Sequence, residues 1–177
     1  QWTEVAVMEA NGVRRTVADR ALGVLPASSP ARRALFALAT SPLFDSCVLA
    51  VIMYSTVLLA MADYSEIDAD GEPSGRSWRN ALSAASDTFF CTPFFTVELV
   101  VKVLAFGLWS APNAYLQDAW NFLDAIVVVS ALAEYASAGV SLSGLRALRV
   151  LRPLRALKRF PDLAVIIEAI LVSAPQI

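Results

Sequence analysis

The chain has no histidine. That removes the side chain most often used for proton transfer near neutral pH. No glycine-rich phosphate loop and no nucleophile beside a base takes its place, so an enzyme is not expected. Charge is also scarce, at 17% Asp, Glu, Lys and Arg, against about a quarter in ordinary soluble domains. The 14 basic and 16 acidic residues leave a net charge of -2; this gives no general cationic surface, and nucleic acid is not expected as a partner. Cysteine is limited to Cys47 and Cys91, both inside apolar runs, which makes no disulfide framework and leaves the redox compartment open. No metal or cofactor is expected. The N-terminus carries no basic, apolar, small-residue leader of the kind that is cleaved on secretion.

What the sequence has instead is apolar length. Apolar residues make up 57% of the chain and gather in long runs, for which bilayer spans are a simpler account than one water-facing core. The first predicted span covers residues 43–61, with Asp45 at its entry. The second covers 88–109 and contains Glu98 and Lys102, the third covers 120–135 with Asn121 and Asp124, and the fourth covers 142–160. Between the first two lies an acidic, Gly- and Pro-containing loop with Asp63, Glu66, Asp68, Asp70 and Glu72. Residues 1–28 show no sustained period and read as a cytoplasmic segment of uncertain order. Ser29 and Pro30 then open a short amphipathic helix through Arg32, Arg33, Leu35, Phe36 and Leu38, expected at the membrane surface. Pro161 ends the fourth span. After it Leu163, Ile166, Ile167, Ile170 and Leu171 share one face of a last helix.

These elements divide the chain into an N-terminal part at 1–40, a membrane domain at 41–160 and a linker helix at 161–177. The expected fold is an all-α membrane protein built on a four-helix transmembrane bundle. Basic flanks at both ends and the acidic loop after the first span place both ends in the cytoplasm, in a multi-pass protein of the plasma membrane.

Arg146, Arg149, Arg152, Arg155 and Lys158 recur at every third position, separated by apolar pairs. An α-helix winds such a stripe slowly round its axis, and 3₁₀ geometry brings it into line. Pro153 interrupts the stripe and favours a local 3₁₀ turn or kink, or is simply tolerated in a bundle. A basic helix lying on anionic lipid has the same pattern. Here, however, the stripe follows three apolar spans that contain acids, and intramembrane arginines are costly without counter-charges. The candidate counter-charges are Asp87 and Glu98, which share a face of the second span with Cys91, Phe95 and Lys102, together with Asp124 of the third. In the sensing reading Glu98 and Asp124 pair with one arginine at a time, Phe95 is an apolar plug, and Asp87 receives arginines that have moved outward. A static ion-pair network is the alternative, particularly for Lys102 with Asp124.

The run FTVELVVKVLAFGLWSAPNAYLQDAWNFLDAIVVV followed by LRALRVLRPLR resembles the first repeat of a four-repeat voltage-gated calcium channel, closest to the L-type pattern. The resemblance implies a voltage-sensor bundle. In it Phe95, Glu98 and Asp124 form the charge-transfer centre, and Arg146, Arg149, Arg152, Arg155 and Lys158 are the gating charges. Residues Asp162 to Ser173 become the linker to a pore domain absent from this sequence. It also implies the bilayer, the other repeats and possible auxiliary subunits as partners. The first span departs from the pattern, with Ser55 and Thr56 near where the family often has asparagine. A stand-alone proton channel fits less well, because residues 50–58 contain no acid. A sodium or leak channel and a non-conducting scaffold are further alternatives.

Overall fold

A computed structural model describes residues 5–65, 67, 77–109, 113–136 and 148–157, without the side chains of Tyr135, Arg149 and Leu157. The expectations for Arg146, Lys158 and the stripe of Leu163, Ile166, Ile167, Ile170 and Leu171 lie outside the described residues, as does the linker helix.

The fold is mostly helical, and the all-α expectation is corrected at the N-terminus. Strands β1 (Val5–Ala10) and β2 (Val13–Ala18) pair antiparallel from Val5↔Ala18 to Ala10↔Val13. Asn11 and Gly12 close them with φ of 53° and 77°. A two-residue hairpin turn with both central φ positive is the form whose twist matches the strands, and Asn-Gly adopts it at little cost. Ala6, Met8, Val13, Arg15 and Val17 point inward, while Val5, Val7, Glu9 and Arg14 are exposed. The alternation is present in the sequence, but the adjacent Arg14 and Arg15 hide it. A smaller ladder, β3 (Arg20–Ala21) with β4 (Leu25–Pro26), follows.

Helix α1 (Pro30–Ala39) starts as its sequence predicts, with Ser29 as N-cap accepting from the Arg32 backbone N–H. It does not lie free on a surface. Phe36 and Ala39 join Met8, Val17, Val101, Ala105, Phe106 and Tyr115 in one apolar core. Arg32, read in the sequence as part of a short amphipathic surface helix, is fully buried. Its Nε donates to Ala105 O at 3.2 Å, and its Nη1 donates to Asp19 O at 3.0 Å and Leu25 O at 3.2 Å. Burial pushes its pKa down, and the Asp19 charge opposes that. One guanidinium thus ties the strand region to the end of the longest helix. Arg32→Ala should leave those buried carbonyls without a donor and cost about 2–4 kcal/mol. The expected result is faster protease cleavage between β4 and α1; an unchanged cleavage rate would mean that the packing alone holds this region.

Among the described residues two helices are long and apolar enough to cross a membrane, α2 (Pro42–Ala60) and α3 (Trp78–Phe106). The first matches its predicted bounds to within a residue. Helix α3 begins ten residues earlier than predicted, since Trp78, Arg79 and Asn80 belong to the helix rather than to the acidic loop. Asn80 explains the early start: its Oδ1 accepts from Asp63 N at 2.8 Å and its Nδ2 donates to Asp63 O at 2.9 Å, fastening the new helix to the end of α2. Gly107, with φ of 83°, ends α3. A 3₁₀ turn at Tyr115–Gln117 leads into α4 (Ala119–Ala136). The arginine segment is 3₁₀ over Leu148–Leu151, turns at Arg152 and Pro153, and resumes as α5 (Leu154–Leu157), so the proline stands where the helical geometry changes.

The polarity of the helical part is inverted for water. Met53, Val57, Phe89, Val97, Val100, Phe122, Val129 and Leu132 face outward, Phe89 with 82% exposure. Ser55, Glu98, Asn121, Asp124, Ser130, Arg152 and Arg155 are buried. Apolar outside and ionised inside is the arrangement that hydrocarbon surroundings favour.

Candidate functional site

The site forms where α2, α3, α4 and the arginine segment meet. Asp87 opens a single π-helical turn, Asp87–Cys91, within α3. Such a turn admits one extra residue and re-aims the helix beyond it, and these turns recur at functional sites. Asp87, Cys91, Phe95 and Glu98 all remain on the buried face. Val48, Val51 and Ile52 of α2 and Val128 of α4 pack round Cys91 and Phe95.

Arg152 pairs with Asp87. One step along the stripe, Arg155 Nε lies 3.1 Å from Asp124 Oδ1, and Arg155 Nη2 donates to the Asp124 carbonyl at 3.1 Å. The Arg155 guanidinium also sits 4.7 Å above the Phe95 ring, an attractive geometry for a cation over an aromatic face. Its Nη1 has no acceptor among the described residues. Along the buried face of α3, Phe95, 2% exposed, stands between Asp87, the partner of Arg152, and Glu98, and it lies against Arg155, whose partner is Asp124.

Glu98 takes a partner different from the one expected. It pairs with Lys102 one turn further along α3, and Asp124 holds the arginine. The structure thus brings together Asp87, Phe95, Asp124, Arg152 and Arg155, while Glu98 stands beside them with Lys102. Arg149 has a described backbone only.

Cavities flank the phenylalanine on both sides. On the hairpin side a cavity of about 290 Å³ is lined by Asp45, Glu98, Lys102, Asn121, Asp124 and Arg155 among others. On the far side a cavity of about 70 Å³ is lined by Ser55, Ser83, Asp87, Cys91 and Arg152. Between them Phe95, Thr92, Val127, Val128 and Ala131 close round the two arginines and leave no water-sized space. Charged groups can thus meet a polar cavity from either side, with only a thin apolar layer between. Burial, with the charges of Asp124 and Glu98 adding to it, pushes the pKa of Tyr115 up.

Sequence reasoning missed the place of two residues in this region. Asn121 is buried and lines the larger cavity, and Arg15 of β2 lines it too. For Asn121 a signal existed, since it lies three residues before Asp124 and so shares its helical face. For Arg15 the signal was the Asn-Gly turn, which fixes which hairpin residues point inward.

A family model described as ion transport protein matches residues 41–177. Sodium channel protein 60E of Drosophila melanogaster is 31% identical over 94% of this chain and 5% of its own length. The voltage-dependent T-type calcium channel subunit alpha-1H of Mus musculus is 38% identical over 76% of this chain and 6% of its own. For the voltage-dependent L-type subunit alpha-1C of Cavia porcellus the identity is 35%, over 91% of this chain and 8% of that one. The chain spans only 5% to 8% of the length of these relatives. The chain belongs to the ion transport protein family, and its relatives there are voltage-gated calcium and sodium channel subunits.

Proposed function

We propose that the chain is the voltage-sensing domain of a voltage-gated cation channel whose permeant ion, by analogy with most of these relatives, is calcium. The observation that carries this reading is the pairing of Arg152 with Asp87 and of Arg155, against Phe95, with Asp124, each arginine facing its own cavity with a thin apolar layer between. A cation stripe that steps through such a constriction moves charge across most of the membrane field over a short path.

In this reading the larger cavity opens to the cytoplasm, as do both ends of the chain, and the domain lies in the plasma membrane. Depolarisation drives the arginines outward. Arg152 has then passed Phe95 to reach Asp87, and Arg155 occupies the plug, so the arrangement corresponds to an outward position of the stripe. Each unit charge crossing the whole field gains about 2.3 kcal/mol per 100 mV. Moving a two-state equilibrium from mostly resting to mostly active takes about 5.5 kcal/mol, which about two to three such charges supply. The pore domain and the other repeats of a longer polypeptide are the partners on which this movement acts, with auxiliary subunits alongside.

The test is to compare carboxylates. Asp124→Asn removes the partner of a buried arginine, and loss of one member of such a pair costs several kcal/mol; Glu98→Gln leaves Lys102 unpaired at the same cavity. Asp68→Asn changes an acid in the loop sequence, where solvent and salt screen charge. In the full-length protein, charge movement should slow about tenfold or more for Asp124→Asn, at about 1.4 kcal/mol per factor of ten, and measurably for Glu98→Gln. Asp68→Asn should leave it near its original rate. A larger effect from Asp68→Asn would move the charge-transfer site elsewhere. No charge movement in any of these proteins would favour a static scaffold.

A further inference from the structure

The hairpin has no role in the reading above, yet it forms a wall of the larger cavity. Val13 and Arg15 of β2 line that cavity together with Ala39 and Thr40 of α1, Asp45 and Val48 of α2, Glu98 and Lys102 of α3, and Asp124 of α4. The hairpin is held there at three points. Asn11 Nδ2 donates to Ala37 O at 2.7 Å and to Thr40 Oγ1 at 3.2 Å. Asn113 Nδ2, two residues before the 3₁₀ turn at Tyr115–Gln117, donates to Thr16 O at 3.4 Å. Met8 and Val17 share the core with Phe36 and Phe106. The Arg15 guanidinium stacks 5.0 Å above the Phe106 ring, which fixes a cation against the last residue of α3.

The formal charges that line this cavity balance. Asp45, Glu98 and Asp124 face Lys102, Arg155 and Arg15. Of these cations only Arg155 belongs to the stripe. When the stripe moves toward the hairpin, further positive charge enters a space where Arg15 already stands.

We propose that the N-terminal hairpin is a working part of the sensor, in which Arg15 is a fixed cation that disfavours the inward position of the arginine segment and so sets the voltage at which it moves. The proposal rests on the voltage-sensing reading and adds to it a source of bias outside the four spans. Its sign is fixed. Removing the Arg15 charge stabilises the inward, resting position, so a stronger depolarisation is needed to move the stripe. For unit charges about 10 Å apart at an effective dielectric of about 40, between that of water and that of a protein surface, the resting-to-active ratio at a given voltage should rise roughly fourfold.

Strand alternation supplies the control, because Arg14 is exposed on the opposite face and carries the same charge. The experiment measures total gating charge and its half-movement voltage in the full-length polypeptide for Arg15→Gln, Arg15→Lys and Arg14→Gln. Arg15→Gln should shift the midpoint to more positive voltages with total charge unchanged. Arg15→Lys and Arg14→Gln should stay close to the original protein. Equal shifts from Arg15→Gln and Arg14→Gln would reduce the effect to general surface charge and overturn the proposal. Equal shifts from Arg15→Gln and Arg15→Lys would assign it to stacking on Phe106, and no shift in any variant would leave the hairpin a passive prop; both outcomes also overturn it. Total charge separates the two readings, because its absence in the unsubstituted protein would end the sensing reading, whereas a normal total with an unmoved midpoint would end only this one.

Discussion

Neutralising Arg152 is expected to take up to about one elementary charge from the charge moved per sensor and to flatten the voltage dependence of opening. Arg149→Gln should do the same through its neighbouring place in the stripe. The expectation follows from position, because Arg152 lies just beyond Phe95, paired with Asp87, and Arg155 lies against Phe95 itself. In the proposed reading a residue in that place has crossed the narrowest part of the barrier, where most of the membrane potential would fall. Each full charge lost removes about 2.3 kcal/mol of driving energy per 100 mV, a large part of the roughly 5.5 kcal/mol needed for a complete switch. Arg152→Gln also leaves Asp87 buried without this cation, so its midpoint will move as well as its slope. Arg152→Lys separates these effects, since it keeps the charge and loses only the guanidinium geometry. Gating currents that carry unchanged charge in Arg149→Gln and Arg152→Gln, at normal surface density, would sink the sensing role.

Much of this arrangement was legible in the sequence, and the reasons are physical. Long apolar runs bounded by polar or small residues mark where helices start and stop, and Pro42–Ala60 and Ala119–Ala136 fall within a residue of the predicted limits. The shared face of Asp87, Phe95 and Glu98 follows from helical spacing, and the π-helical turn beginning at Asp87 keeps those residues on it. The choice of partner was legible only in part. For Glu98 a signal existed and was not used, since Lys102 lies four residues further along the same helix, the spacing of an intrahelical ion pair; that Asp124 on another helix would hold Arg155 depends on the assembled fold. The early start of α3 depends on Asn80 meeting the Asp63 backbone across the acidic loop, a contact between segments that no local pattern reveals. The buried Arg32 is a similar case. Its three carbonyl acceptors come from β3–β4, the residue before β3 and the end of α3, so only the assembled fold shows why a cation is stable there. The hairpin, by contrast, was available from Asn11-Gly12 and was missed because two adjacent arginines broke the alternation.

Ile167→Asp is expected to preserve most gating charge while weakening or abolishing voltage-controlled conductance in the full-length protein. Its basis is the sequence after the stripe, from which Pro161 is expected to end the helix and Leu163, Ile166, Ile167, Ile170 and Leu171 to share one face of a further helix. Such a helix lies along a membrane surface or against another helix, and an acid at its centre expels that face from either setting. The arginines of the stripe, their carboxylates and Phe95 are untouched by the substitution, so the movement of charge keeps its path. In the proposed reading the substitution removes an apolar contact through which a shift at the end of the stripe would become a push on gate helices, a rigid coupling of the kind that transmits many switching transitions. Gating charge and ionic current must be recorded from the same protein, because expression alone can lower both. Charge retained with current lost would place Ile167 in the coupling. Retention of both would make the segment a plain connector, and loss of both in correctly inserted protein would place it within the sensor, where an acid on that face would act on the arginines directly rather than on the pore.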